Sequence, residues 1–122
     1  MSLEDILKAT FKGETTEVGW YLAMSKIAEE EGLADVATYL RQIAMDEAWH
    51  AAEVAKILGM VKDTKSNLTM MLEGETMATL EKAEAAEIAR KEGNNEARLF
   101  FERASQDEAR HKAGLKGIVD RL

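Results

Sequence analysis

Asp46-Glu47-Ala48-Trp49-His50 and Asp107-Glu108-Ala109-Arg110-His111 are two versions of one pentapeptide, and between them they hold both histidines of the chain. Each sets a Glu and a His three residues apart, a spacing that puts both side chains on one face of a helix. Sliding the sequence along itself by 61 residues, with no gap, gives 14 identities in 61 positions. Among them are Gly13/Gly74, Glu14/Glu75, Glu31/Glu92, Gly32/Gly93, Glu47/Glu108 and His50/His111. The chain therefore reads as two copies of one unit, each ordered as lone Glu, Glu-Gly turn, Glu-x-x-His. Helical bundles that hold two metal ions use this kit: one Glu from each of two helices and Glu-x-x-His from each of the other two.

The flanking sequence is helical on both sides of these residues. Proline is absent, while Ala, Glu, Lys and Met are plentiful, and these residues favour helix. The first helix is expected to begin near Ser2, with Ser2 and Asp5 spaced as a capping box. Its stripe is Leu7, Phe11, Glu14, Val18, Tyr21, Ser25, Ala28, at alternating steps of three and four. The second, from about Ala34 to Leu58, carries Val36, Leu40, Ile43, Glu47, His50, Val54, Ile57. The third starts between Asp63 and Leu68, capped by Asp63 or Asn67, and carries Leu68, Leu72, Glu75, Thr79, Lys82, Ala86, Ala89. The fourth, from about Asn95 to Val119, carries Ala97, Phe101, Ala104, Glu108, His111, Leu115, Ile118. Gly32, Gly59 and Gly93 follow helices as stop signals. The expected architecture is one all-α domain over residues 1–122, a four-helix bundle of two helical hairpins, with repeat 1 over 1–61 and repeat 2 over 62–122.

Composition removes several function classes. A formal charge of −7 without a basic stripe argues against nucleic acid and against anionic membranes. Without cysteine there is no disulfide, no thiolate chemistry and no cysteine-held iron centre. Nothing at the N-terminus reads as a signal peptide and no apolar run is long enough to span a bilayer, so a cytoplasmic setting is expected.

Glu14, Glu47, His50, Glu75, Glu108 and His111 fall on the inward stripes at matched depth. An ionised carboxylate among apolar residues is costly unless paired, and four together repel one another. Two divalent cations resolve this, and carboxylate with imidazole suits iron or manganese without excluding zinc. A lone Glu-x-x-His is commonplace on helix surfaces, and a buried glutamate can pair with a lysine such as Lys82. What distinguishes this set is its repetition at one offset on all four stripes.

The same residues, with Tyr21 and the Glu31-Gly32 and Glu92-Gly93 turns, resemble the ferritin-like domain of the rubrerythrins over nearly the whole chain. That resemblance implies a ferritin-like di-iron bundle that reduces hydrogen peroxide to water. It implies Glu14, Glu47 and His50 as metal ligands from the first hairpin and Glu75, Glu108 and His111 from the second, with Glu47 and Glu108 bridging. The sequence departs from the family in three ways. The four-cysteine rubredoxin module is absent, so electrons must come from a separate redox protein such as a rubredoxin. A seventh carboxylate, expected three residues after the second lone Glu, is replaced by Ala78, while Glu17 occupies the equivalent place in the first repeat and either serves the metals or is solvated. A tyrosine expected in the second hairpin is missing, while Tyr21 keeps its place in the first as a donor to the site or as a core aromatic. Four Glu and two His also match the ferroxidase centre of bacterioferritins. Fe(II) oxidation by oxygen or peroxide, a manganese catalase-like activity and a metal-binding module without catalysis therefore stand as alternatives.

The connection between the repeats adds a constraint. In ferritin-like bundles the second and third helices run parallel and a long crossover joins them. With the third helix starting at Asp63, the gap is roughly 36 Å against about 14 Å of extended reach for Gly59 to Lys62. A late start at Leu68 with a taut linker, an up-down-up-down bundle, or a homodimer that exchanges hairpins would each resolve it. The exchanged homodimer keeps both the family topology and the short linker. Trp20 and Trp49, outward on their helices, suit a subunit contact.

Overall fold

Ser2 opens the first helix with a reciprocal pair: its hydroxyl accepts the Asp5 amide at 3.1 Å, and Asp5 Oδ2 accepts the Ser2 amide at 3.2 Å. This is the expected capping box. In the computed structural model, which describes Met1–Leu122, α1 is Leu3–Glu30, α2 is Ala34–Ile57, α3 is Thr64–Lys91 and α4 is Asn95–Arg121. There are no strands. Between the two candidate caps of α3, Asp63 takes the role: its Oδ2 accepts the Ser66 amide at 3.1 Å and its Oδ1 the Ser66 hydroxyl at 2.6 Å. Asn67 instead ties the linker down, accepting the Lys62 amide at 2.7 Å and donating to the Lys62 carbonyl at 3.0 Å. The last helix runs two residues past the expected Val119, through Gly114 and Gly117.

Three helices end the same way. Gly32, Gly59 and Gly93 have φ of 77°, 71° and 72°, a left-handed conformation that glycine adopts without a Cβ penalty. After α1, Gly32 N–H donates to the Glu29 carbonyl and Leu33 N–H to the Ala28 carbonyl, the paired bonds of a Schellman motif. Gly59 with Met60, and Gly93 with Asn94, repeat the pattern.

The chain forms two compact units, Met1–Val61 containing α1 and α2, and Lys62–Leu122 containing α3 and α4. Each is an antiparallel helical hairpin. In the first, the whole anticipated α1 stripe from Leu7 to Ala28 is buried or half-buried. On α2 the packed face is rotated slightly from the expected one. Ala37, Ala44 and Ala51, seven residues apart, are buried with Val54, and Leu40 and Glu47 are half-buried between them. Val36, His50 and Ile57 from the expected stripe are exposed. The apolar stripe of α2 spans two faces: small residues let α1 approach closely, and the bulkier ones beside them point to one flank. In the second hairpin Phe101, Ser105, Glu108, Leu115 and Val119 line the α3 side of α4, while His111 and Ile118 are exposed. Ser105, the repeat partner of Ala44, donates its hydroxyl across the seam to the Thr79 carbonyl at 2.9 Å.

The fully buried residues are all small or medium: Ser25, Ala28, Ala37, Ala44, Ala51, Val54, Ala86 and Ala89. A two-helix layer has one seam, and its large apolar residues need a second layer to cover them.

Candidate metal centre

Glu14 comes from the middle of α1, with Phe11 before it and Val18 after it on the same stripe. Glu47 and His50 come from consecutive turns of α2. One ligand atom from each of the three lies within 4.8 Å of the others, and Glu75, Glu108 and His111 form the same cluster in the second hairpin. His50 Nδ1 is 3.5 Å from Glu14 Oε2 and 3.6 Å from Glu47 Oε1, and His111 Nδ1 is 3.5 Å from Glu75 Oε1. Two donor atoms each about 2.1 Å from one ion, at tetrahedral or wider angles, lie about 3.4 Å or more apart. The observed spacing therefore suits a cation held between imidazole and carboxylate.

A sharper test lies in single atoms. Glu14 Oε2 and Glu75 Oε2 are buried and have no hydrogen-bond partner. They are repeat-related, so the same defect occurs twice. A buried acceptor left unsatisfied costs about 1–3 kcal/mol, and a bound divalent cation would remove that cost in each hairpin. The glutamates are mostly enclosed, with 16% to 20% of the Glu14, Glu47 and Glu75 side chains exposed, while His50 is 57% and His111 48% exposed. The imidazoles thus stand at the edge of each cluster, on an uncovered flank of the hairpin. In each trio two carboxylates and one imidazole form a hard to intermediate donor set that suits iron, manganese or zinc.

Proton sharing follows from this crowding. Glu108 is held above the ordinary carboxylate value by its hydrogen bond to Glu75, then by loss of solvent, then by repulsion from the Glu75 charge; Lys82 and His111 pull it down. Glu17 is likewise raised, first by a hydrogen bond to Glu47, then by desolvation and the Glu47 charge. Glu17 thus meets the cluster through Glu47, although its own residue is exposed. Tyr21 is half-buried two turns beyond Glu14 and lines a shallow cavity with Thr16, Glu17, Trp20 and Met24. Its hydroxyl makes no hydrogen bond to a ligand carboxylate.

Lys82 neighbours the second cluster, where sequence reasoning treated it only as a generic partner for a buried glutamate. It occupies the repeat position of Tyr21, is half-buried on the α3 stripe, and its ammonium acts on Glu108. The signal was present in the 61-residue offset, which pairs an aromatic hydroxyl in one half with a cation in the other.

Comparison with known proteins gives one family. The family model described as Rubrerythrin matches residues 5–119. An uncharacterized protein of Methanocaldococcus jannaschii is 50% identical over 120 residues, covering 98% of this chain and 85% of that one. Reverse rubrerythrin-1 of Clostridium acetobutylicum is 41% identical over 117 residues, covering 94% of this chain; the match spans 65% of that relative's length.

Proposed function

The chain belongs to the rubrerythrin family, whose ferritin-like domain is an all-α four-helix bundle, and on that premise we propose that it is a non-haem di-iron peroxidase. It reduces hydrogen peroxide to two waters, taking up two protons and two electrons, with the electrons delivered by a separate redox protein. The observation that carries the reading is the pair of orphaned buried oxygens, Glu14 Oε2 and Glu75 Oε2, each inside a Glu, Glu, His cluster.

Glu14, Glu47 and His50 of the first hairpin and Glu75, Glu108 and His111 of the second would hold the metal ions. Iron held there would supply the redox chemistry, with electrons drawn from the external donor, since this sequence has no cysteine to hold a redox centre of its own. Glu17, hydrogen-bonded to Glu47, serves as an additional carboxylate beside the first trio and keeps a proton close to it. Tyr21 offers a hydroxyl on the same stripe. The surrounding apolar side chains keep bulk water from the carboxylates and so strengthen their hold on cations. No helix is long and apolar enough to cross a membrane, and a cytoplasmic enzyme meeting peroxide as a small diffusible substrate agrees with that.

A second reading, Fe(II) oxidation as in a ferroxidase, is favoured by one specific feature: Ala78 stands where the family's seventh carboxylate is expected, leaving four Glu and two His. One experiment separates the two. Protein loaded with Fe(II) under anaerobic conditions is mixed in stopped flow with peroxide and, separately, with oxygen. The peroxidase reading expects about two irons per chain and much faster oxidation by peroxide. Faster oxidation by oxygen would establish the ferroxidase instead, oxygen evolution from peroxide a catalase-like turnover, and absence of iron binding would remove both.

A further inference from the structure

We propose that Lys82 weakens the metal place of the second hairpin, so that the Glu14, Glu47, His50 place fills first and the Glu75, Glu108, His111 place holds the ion that exchanges with solution. This rests on the reading that the two trios hold metal ions, and it assigns the difference between them to a residue outside both. The trios themselves are matched: each gathers two Glu and one His within one hairpin, and each has one buried carboxylate oxygen without a partner.

Lys82 has no local partner for its charge. Lys8, Arg90, Arg98, Arg110 and Lys116 each meet a carboxylate three or four residues away on their own helix, the spacing at which helix neighbours touch. Around Lys82 those positions are Ala78, Thr79, Ala85 and Ala86. On α4, Glu102 and Asp107 are already paired with Arg98 and Arg110. The ammonium is left to the ligand carboxylates.

Its placement directs it to them. Glu75, Thr79 and Lys82 share one stripe of α3, and Lys82 is half-buried there. A helical side chain leans toward the N-terminus of its helix, here from Lys82 toward Glu75. The stem follows the apolar stripe and the charge sits at its end. Ser105 donates its hydroxyl to the Thr79 carbonyl at 2.9 Å, which fixes α4 against that level. The antiparallel course of α4 then carries Glu108 toward Glu75. The ammonium acts on Glu108 by charge alone, with no hydrogen bond between them. A cation held in this way steadies the carboxylates while the place is empty and repels a divalent ion that arrives among them.

The first hairpin has the opposite equipment. Tyr21 stands at the matched place, a phenol instead of an ammonium, and Glu17 stands where the second hairpin has Ala78. Glu17 adds a third carboxylate, hydrogen-bonded to Glu47. The two replacements in the second hairpin act together. A glutamate at position 78 would stand four residues before Lys82 and pair with it; with alanine there the charge is free. A charge within a few ångströms changes the proton affinity of a carboxylate by about one to three powers of ten. Lys82 lies beyond contact but acts on a doubly charged ion, so an effect of about tenfold on metal affinity is expected.

The test titrates the metal-free, full-length protein with Mn(II) at fixed pH and follows the free ion by electron paramagnetic resonance. The wild type is expected to fill in two steps, with dissociation constants about tenfold or more apart. Glu75→Gln should remove the weaker step and keep the tighter one. Lys82→Met keeps the stem and removes the charge, and it should tighten the weaker step about tenfold without moving the tighter one. Lys82→Arg keeps the charge and should keep the wild-type separation. A lysine that only packs would be replaced by methionine with neither step moved. Two equal steps, a Lys82→Met titration like that of the wild type, or loss of the tighter step in Glu75→Gln would overturn the proposal. Circular dichroism of the metal-free variants checks the fold, and Lys82→Gln repeats the measurement if the methionine variant does not fold. No peroxide enters the titration. A protein that fills in this order but fails to reduce peroxide keeps the proposal and loses the peroxidase reading; one that binds neither Mn(II) nor Fe(II) loses both.

Discussion

Replacing Glu14 with Leu should stabilise the metal-free protein and abolish its stabilisation by metal. Glu14 Oε2 is buried without a partner, and the side chain is 20% exposed on a stripe between Phe11 and Val18. Leucine has a similar volume, removes the unsatisfied acceptor and adds apolar contact in the α1–α2 seam. Relief of one such acceptor is worth about 1–3 kcal/mol. With an unfolding entropy of about 2.1 cal/mol/K per residue, a chain of 122 residues gains roughly 4 °C in Tm per kcal/mol, or about 4–12 °C here. The wild type should behave oppositely when metal is added, gaining about 2.7 kcal/mol at a hundred times its Kd, roughly 10 °C. Thermal melts followed by circular dichroism, with chelator and then with Fe(II) under anaerobic conditions, read both effects. A metal-free Glu14→Leu protein that melts below the wild type would refute the reasoning, because Glu14 would then be satisfied by the fold itself.

Metal binding should tighten as pH rises through the acid range. Glu17 and Glu108 lie above the ordinary carboxylate value of 4.5, so in the metal-free protein they retain protons that a cation must displace. The same raised values favour the metal-free fold below 4.5 and lose that contribution as pH rises through them. The metal-free protein should therefore lose this contribution as pH rises above 4.5, while the metal-loaded protein gains stability over the same range; parallel trends in the two melting series would count against this. Caps offer a test outside the site. Asn94 Oδ1 accepts the Ala97 amide at 3.0 Å, and Asn94→Ala should cost about 1 kcal/mol. The repeat partner Leu33 starts α2 with no side-chain cap, so Leu33→Asn should raise the melting temperature by a few degrees, and a loss there would show that Leu33 is held by packing.

Most of the architecture was legible because its signals are local. Four helices, three glycine stops and the Ser2–Asp5 box follow from neighbouring residues, and the 61-residue offset laid the two trios over each other before any coordinates. The packed face of α2 was less legible. Ala37, Ala44 and Ala51 look weaker than Val36, Ile43 and Ile57 on any hydropathy scale, so the bulkier series drew the stripe. Close helix approach selects the smaller side chains at the seam, and the bulkier ones need a different neighbour. The start of α3 was ambiguous for a similar reason: Asp63 and Asn67 can both cap, and only the bonds of Asn67 to Lys62 show how the pair divides the work.

The repeat comparison carries one step further than either half alone. Gly13-Glu14-Thr15, Asp46-Glu47-Ala48 and His50 recur unchanged in the second repeat, so the proposed ligands and their immediate neighbours are the same in both halves. Around them the halves differ: Glu17 corresponds to Ala78, and Tyr21 to Lys82, across the offset. An extra carboxylate therefore accompanies the first trio, and an ammonium that acts on Glu108 accompanies the second. Two trios with equal formal ligand charge thus sit in unequal fields, negative on one side and partly neutralised on the other. On the proposed reading, a cation on the Glu17 side should be held more strongly by charge, and one on the Lys82 side should be the easier to release. Ligand identity alone would not make two such metal places inequivalent; the differing residues beside the proposed ligands would.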